Sequence, residues 1–190
     1  MSRLLFGLLW LGLMGTALGV DPQPPAKNLL NWGNLDGQLQ DSGLPAGWTV
    51  WPPGYKGYDC YTVTTPVHSG TRSLRLSASE PWASVVTGQH RLEPGTRQFG
   101  QAWVQLPAGS TCEAWLRIDY LRNGLWIGSA PVTMLRGVDK PAAGWHLLKT
   151  EATGEPFPEA NQFQLIAGVH GGGTAFWDDL ELSSSTDVGK

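Results

Sequence analysis

The feature that most constrains this chain is the alternation in residues 112–120. Cys112, Ala114, Leu116, Ile118 and Tyr120 fall at every second position, with Glu113, Trp115, Arg117 and Asp119 between them. Side chains alternate across a strand, so this period places the first set on one face and the second on the other; a helix would scatter both. Similar short runs are expected at 48–51, 58–63, 73–77, 83–88, 98–106, 125–134, 145–150, 162–169 and 174–182. Turn signals separate them: Pro94-Gly95, Pro107-Ala108-Gly109, Asn123-Gly124 and Gly171-Gly172-Gly173. Asn-Gly suits a two-residue hairpin, whose central positions both need positive φ, so the strands on either side of Asn123 should lie side by side. About ten short strands without a helical period predict an all-β fold, a two-sheet β-sandwich jelly roll.

The ends read differently. In residues 1–19, Arg3 precedes an apolar run over 4–14, and Ala17-Leu18-Gly19 supplies a small-x-small cleavage site, the pattern of a signal peptide. The run is short for a bilayer span, which needs about 20 residues. The expectation is an exported protein, secreted or periplasmic or at the cell surface, with no membrane partner. Residues 20–27 carry three prolines and read as a leader, 28–183 as the folded module and 184–190 as a tail.

Composition then narrows the function. With 13 basic residues scattered singly and a net charge of −3, the chain lacks the clustered Lys and Arg that nucleic-acid binding requires. Ten tryptophans in 190 residues are more than a core this size usually absorbs. A nucleophile elbow, a zinc-binding helix and a phosphate loop are all missing. Glu113 and Asp119 share a face, but six residues of strand separate them by about 20 Å, too far for a glycosidase pair. The expectation is therefore no enzyme. Cys60 and Cys112 are the two cysteines, and both readings stand: one disulfide, or two buried thiols.

A sugar platform fits the residues better. Trp115, Arg117 and Asp119 share one strand face, and Gln101, Trp103 and Gln105 share a face of the preceding strand. A flat indole can take the C–H face of a pyranose, while Gln, Arg and Asp offer fixed partners to its hydroxyls. The expected carbohydrate contacts are Trp103, Trp115, Arg117, Gln164 and Trp126 on one concave sheet face, with the aromatic residues of 48–61 as an alternative rim. A competing reading has Trp103 and Trp115 packed beneath a loop. A second candidate site is Asp178, placed by pattern on the inward face with Phe176, Leu180 and Leu182. A buried carboxylate needs a cation, a cluster of N–H donors or a proton. Calcium suits such oxygen ligands in an exported protein, with Asp36 as a second carboxylate; hydrogen bonds from a turn are the alternative.

Four segments carry a family likeness: Asn28-Leu29-Leu30 with Asn34-Leu35-Asp36; His68-Ser69-Gly70 with Ser73-Leu74-Arg75-Leu76; Gln101-Ala102-Trp103-Val104; and residues 174–182. In this order, with Gly47-Trp48 after the first, they resemble carbohydrate-binding modules of families 4, 9 and 22. The resemblance implies a galactose-binding-like jelly roll and non-catalytic binding of a polysaccharide or glycan. It also implies a structural calcium held by Asp36 and Asp178 with main-chain oxygens near 69–72. A different class of function would use the same aromatic face to meet an envelope protein.

Overall fold

Strand β7 (Glu113–Arg122) organises the architecture, because both of its faces are occupied. On one side Ala114, Leu116, Ile118 and Tyr120 are buried in the core, as the alternation predicts; on the other stand Trp115, Arg117 and Asp119. The computed structural model describes residues 27–53, 56–79, 81–139, 143–152 and 157–186. The expected signal peptide, most of the leader and the last four residues of the tail lie outside them.

Among the described residues the remaining strands are β1 (Thr49–Trp51), β2 (Tyr58–Val63), β3 (Ser73–Ala78), β4 (Trp82–Val86), β5 (His90–Arg91), β6 (Arg97–Gln105), β8 (Leu125–Ser129), β9 (Thr133–Arg136), β10 (His146–Ala152), β11 (Gln162–His170) and β12 (Gly173–Ser185). They form two antiparallel sheets packed as a β-sandwich jelly roll. The seven-stranded sheet runs β1-β4-β11-β7-β8, with β5 on β11 and β9 on β7; the five-stranded sheet runs β10-β6-β12-β3-β2. Asn123 and Gly124 have φ of 52° and 81°, and the β7–β8 hairpin they close places those strands side by side as expected. The run expected over 125–134 divides into β8 and β9 around Ala130 and Pro131, since proline cannot donate to a ladder.

The core lies between the sheets and is built on Trp177, Tyr120 and Phe163 with Leu74, Leu76, Leu116, Leu165, Leu180 and Leu182. Each such aliphatic side chain contributes about 1.5–3 kcal/mol when buried. The Tyr120 hydroxyl donates to Oε1 of Gln98 at 2.8 Å, and the Gln98 amide donates to Thr96, so this buried polar group is satisfied. Burial pushes the Tyr120 hydroxyl pKa up to about 12. Cys60 and Cys112 are both free thiols, and burial raises Cys60 to about 12.

Two expectations about faces are corrected. Phe176 and Asp178 do not point inward. Ala175 and Trp177 do, opposite Leu76 and Leu74, while Asp178 pairs with outward-facing Trp103. The register shifts between Asp178 and Glu181, and Asp179 takes φ of 47° there. This β-bulge flips the parity, returning Leu180 and Leu182 to the core. The second correction is that β6 and β7 are not neighbours. The 107–109 turn carries the chain from one sheet to the other, so Trp103 and Trp115 stand on opposite outer faces of the sandwich.

Candidate functional site

Residues directly opposite one another on paired strands share a face, so the register defines the outer surface of the seven-stranded sheet. One row across it reads Trp51, Ser84, Gly168, Trp115, Met134; the next reads Thr49, Val86, Ile166, Arg117; a third places Gln164 against Asp119 and Ser129. Trp51 and Trp115 thus stand at either side of two small residues, with Cα atoms roughly 14 Å apart at the usual spacing of paired strands. Trp51 is 51% exposed. Gly168 is required by its neighbour, because a Cβ there would collide with the Trp115 ring.

A chain of polar contacts crosses the same face. Asp119 is nearly buried; its Oδ1 lies 2.7 Å from Nε of Arg117, and Arg117 Nη2 donates to its Oδ2 at 3.2 Å. The Ser129 hydroxyl donates to Asp119 Oδ1 at 2.6 Å, and the Trp126 indole N–H donates to Ser129 at 3.2 Å. The guanidinium of Arg117 lies 5.0 Å from the Trp115 ring centroid. Trp126, at the hairpin, is 60% exposed. The cations here are paired internally: Arg117 with Asp119, and Arg136 with Glu113 at 3.2 Å. The face offers flat apolar rings and fixed polar groups, and the guanidinium groups of Arg117 and Arg136 on it are each held beside a carboxylate.

Four of the five expected carbohydrate contacts, Trp115, Arg117, Gln164 and Trp126, therefore stand on one sheet face. Gln164 is 8% exposed and forms part of its floor. Trp103 stands apart. On the opposite sheet its ring stacks on the His68 imidazole, with centroids 4.0 Å apart and planes 17° from parallel, and Trp145 meets His68 edge-on at 5.7 Å. Trp103 is half-buried in this aromatic contact. Sequence reasoning did not identify Ser84 and Gly168; a glycine inside a strand pattern was the available signal, since it marks close approach by another group.

The proposed metal ligands meet one loop. Asp178 is fully buried, and its Oδ2 accepts backbone N–H groups from His68 at 2.8 Å and Ser69 at 3.2 Å. Its Oδ1 accepts the N–H of Asp179 at 2.8 Å. Burial raises the Asp178 pKa, opposed by these three amides. Asp36 Oδ1 accepts from Thr71 N, Thr71 Oγ1 and Arg72 N at 2.9, 2.8 and 3.1 Å, and these bonds hold its carboxyl below the ordinary value. Asp36 Oδ2 fills the place where a Cβ on Gly70 would stand. Asp179 completes the clamp: its Oδ2 is 2.7 Å from His68 Nδ1 and its Oδ1 accepts from the Ser69 hydroxyl at 2.7 Å. The donor set is carboxylate oxygen and suits a hard cation in type. Among the described residues no three His, Cys, Asp or Glu side chains gather as a metal cluster.

No protein-family model matches the sequence, and no curated protein does. Solved structures match the fold. The family 22 tandem domain of Paenibacillus barcinonensis Xyn10C, CBM22-1 with CBM22-2, aligns with a TM-score of 0.56 at 14% identity, over 87% of this chain and 47% of that one. TmCBM61, solved with β-1,4-galactotriose, aligns at 0.54 and 17% identity over 84% of this chain and 100% of its own. The C-terminal family 22 module of Clostridium thermocellum Xyn10B aligns at 0.52 and 13% identity over 79% and 90%. The chain has the fold of these carbohydrate-binding modules.

Proposed function

We propose that this chain is an exported, non-catalytic glycan-binding module that takes a neutral polysaccharide on the outer face of its seven-stranded sheet. The observation that carries this reading is the continuous line Trp126–Ser129–Asp119–Arg117–Trp115, which sets two indoles and a fixed hydrogen-bonding array on one surface. A sugar ring would stack on Trp115 or Trp126, and its hydroxyls would bond to Arg117, Asp119 and Gln164. Because such hydroxyls exchange water for protein partners, the net gain per bond is modest, about 0.5–1.5 kcal/mol. Apolar stacking must supply much of the rest. The neighbouring solved modules, of which one was crystallised with a galactotriose and others are described as xylan-binding, support the glycan class.

The test is affinity electrophoresis of the chain through gels holding xylan, β-1,4-galactan or no polymer. Retardation of the wild type by a neutral polymer, reduced tenfold or more in Trp115→Ala and Trp126→Ala, is the expected result. Binding that persists unchanged in both variants removes the platform. Stable association with envelope proteins and no response to any glycan would favour the interaction-domain reading. The calcium reading belongs to the same proposal: Asp36 and Asp178 would hold the ion, and its charge would offset the buried carboxylate of Asp178.

A further inference from the structure

The opposite face of the sandwich carries a different kind of surface. On the outside of the five-stranded sheet, Tyr61, Arg75 and Phe176 form one cross-strand row, and Asp59, Ser77 and Thr174 the adjoining one. Beside them lies an open groove of about 350 Å³, lined in part by Lys56, Asp59, Arg75, Ser77, Ser79 and Thr174. Its walls are hydroxyl-rich. The hydroxyls of Ser77 and Thr174 are 2.6 Å apart, and the Ser79 hydroxyl donates to Gly57 O at 2.9 Å, so their remaining lone pairs are open to the groove. The charge here contrasts with that of the other sheet. Arg117 lies with Nε 2.7 Å from a nearly buried Asp119 and donates Nη2 to it, whereas Arg75 meets Asp59 at only 3.7 Å through one nitrogen, and that carboxylate is 68% exposed. Such a pair is weak and screened by water. Arg75 Nη1 donates to the Tyr61 hydroxyl at 3.1 Å, and the guanidinium lies 5.3 Å from the ring centroid of that exposed tyrosine. The fork is thus oriented while much of its donor capacity is unused, and Lys56 adds a second positive charge.

We infer that this groove is a second glycan site, specific for a carboxylated sugar, with Arg75 receiving the carboxylate and the Ser77–Thr174 hydroxyls receiving the ring hydroxyls. Planar guanidinium matches planar carboxylate in a two-bond fork, which gives the site its selectivity. Tyr61, beside the groove, orients the guanidinium through its ring and hydroxyl. The site is independent of the neutral platform, since the two surfaces lie on opposite sheets.

The experiment measures retardation of the full chain by polygalacturonate, by its methyl ester and by dextran sulfate. Polygalacturonate is expected to retard the wild type and Trp115→Ala equally, the ester and dextran sulfate much less. Arg75→Gln should weaken polygalacturonate binding at least tenfold, and Asp59→Asn should strengthen it. If Arg75→Gln does not fold, Lys56→Gln on the exposed rim carries the test with an expected loss of about threefold, a modest share of a screened charge pair. Unchanged binding in both cationic variants, loss of binding in Trp115→Ala, or equal retardation by dextran sulfate would each overturn the assignment.

Discussion

The indole of Trp115 occupies the space above the Cα of Gly168, its cross-strand partner on β11, so that no side chain larger than hydrogen fits beneath it. Gly168→Ala should therefore displace the ring rather than merely crowd it. Overpacking of this kind costs about 1–3 kcal/mol. The expected outcome is a lower melting temperature together with a tenfold or greater loss of neutral-glycan retardation. Calorimetry and affinity electrophoresis on the same preparation measure both. A variant that keeps full glycan affinity would show that the flat seating of Trp115 is not what the ligand uses.

Asp119 holds two partners at once, the Arg117 guanidinium and the Ser129 hydroxyl. Asp119→Asn keeps the shape but removes the charge and one acceptor, leaving Arg117 without its counter-ion. Hydrogen bonds to charged groups contribute about 1.5–3 kcal/mol each, and partial exposure of Arg117 brings the expected loss toward the lower figure. Urea denaturation should show it. Asp119→Ala should in addition free the Trp126–Ser129 pair, visible as a change in Trp126 fluorescence.

How far the sequence disclosed this arrangement depends on where the alternation was continuous. In β7 nothing interrupts the period of two, and the inward set of Ala114 to Tyr120 and the outward set of Trp115 to Asp119 both stand as read. Pairing was legible only where a turn fixed it, as at Asn123-Gly124. The partition of strands between sheets was not, because Pro107-Ala108-Gly109 can close a hairpin or bridge two layers, and only tertiary packing selects the bridge that separates Trp103 from Trp115. In β12 a single extra residue at the bulge reversed the face of Phe176 and Asp178. The buried state of Asp178 was still anticipated, for a different reason: the 68–69 backbone covers it from outside the sheet.

That cover makes Asp178 a structural anchor. Asp178→Ala removes the acceptor of the His68 and Ser69 N–H groups, which are only partly buried, so each lost bond costs about 0.5–1.5 kcal/mol. A clear fall in melting temperature is expected with or without metal. The calcium reading adds a separate outcome: the wild type should melt higher in calcium than in chelator, by the linkage that gives about 2.7 kcal/mol at a hundredfold excess over Kd. Asp36→Asn should abolish that difference. Equal melting in calcium and chelator would leave Asp36 and Asp178 as clamps of the 68–72 loop and nothing more.

Acid stability should be governed in its first stage by His90. The ring packs against Phe163, its cross-strand partner, at 6.0 Å between centroids, and its Nε2 is buried without a hydrogen-bond partner. Burial lowers its pKa from the ordinary 6.5. The unfolded chain therefore takes up a proton that the folded chain refuses, so stability contributed by neutral His90 is full above pH 6.5 and is lost as the pH falls through the depressed folded value. Asp36 acts in the same direction but later: its lowered pKa means its contribution is present above the ordinary 3.8 and is lost only in stronger acid. Urea midpoints at pH 7 and pH 5 separate the two. The wild type should lose stability across that interval and His90→Phe should lose less, since phenylalanine keeps the ring contact with Phe163 and removes the titration. Parallel losses in the two proteins would assign the early acid sensitivity to a group other than His90.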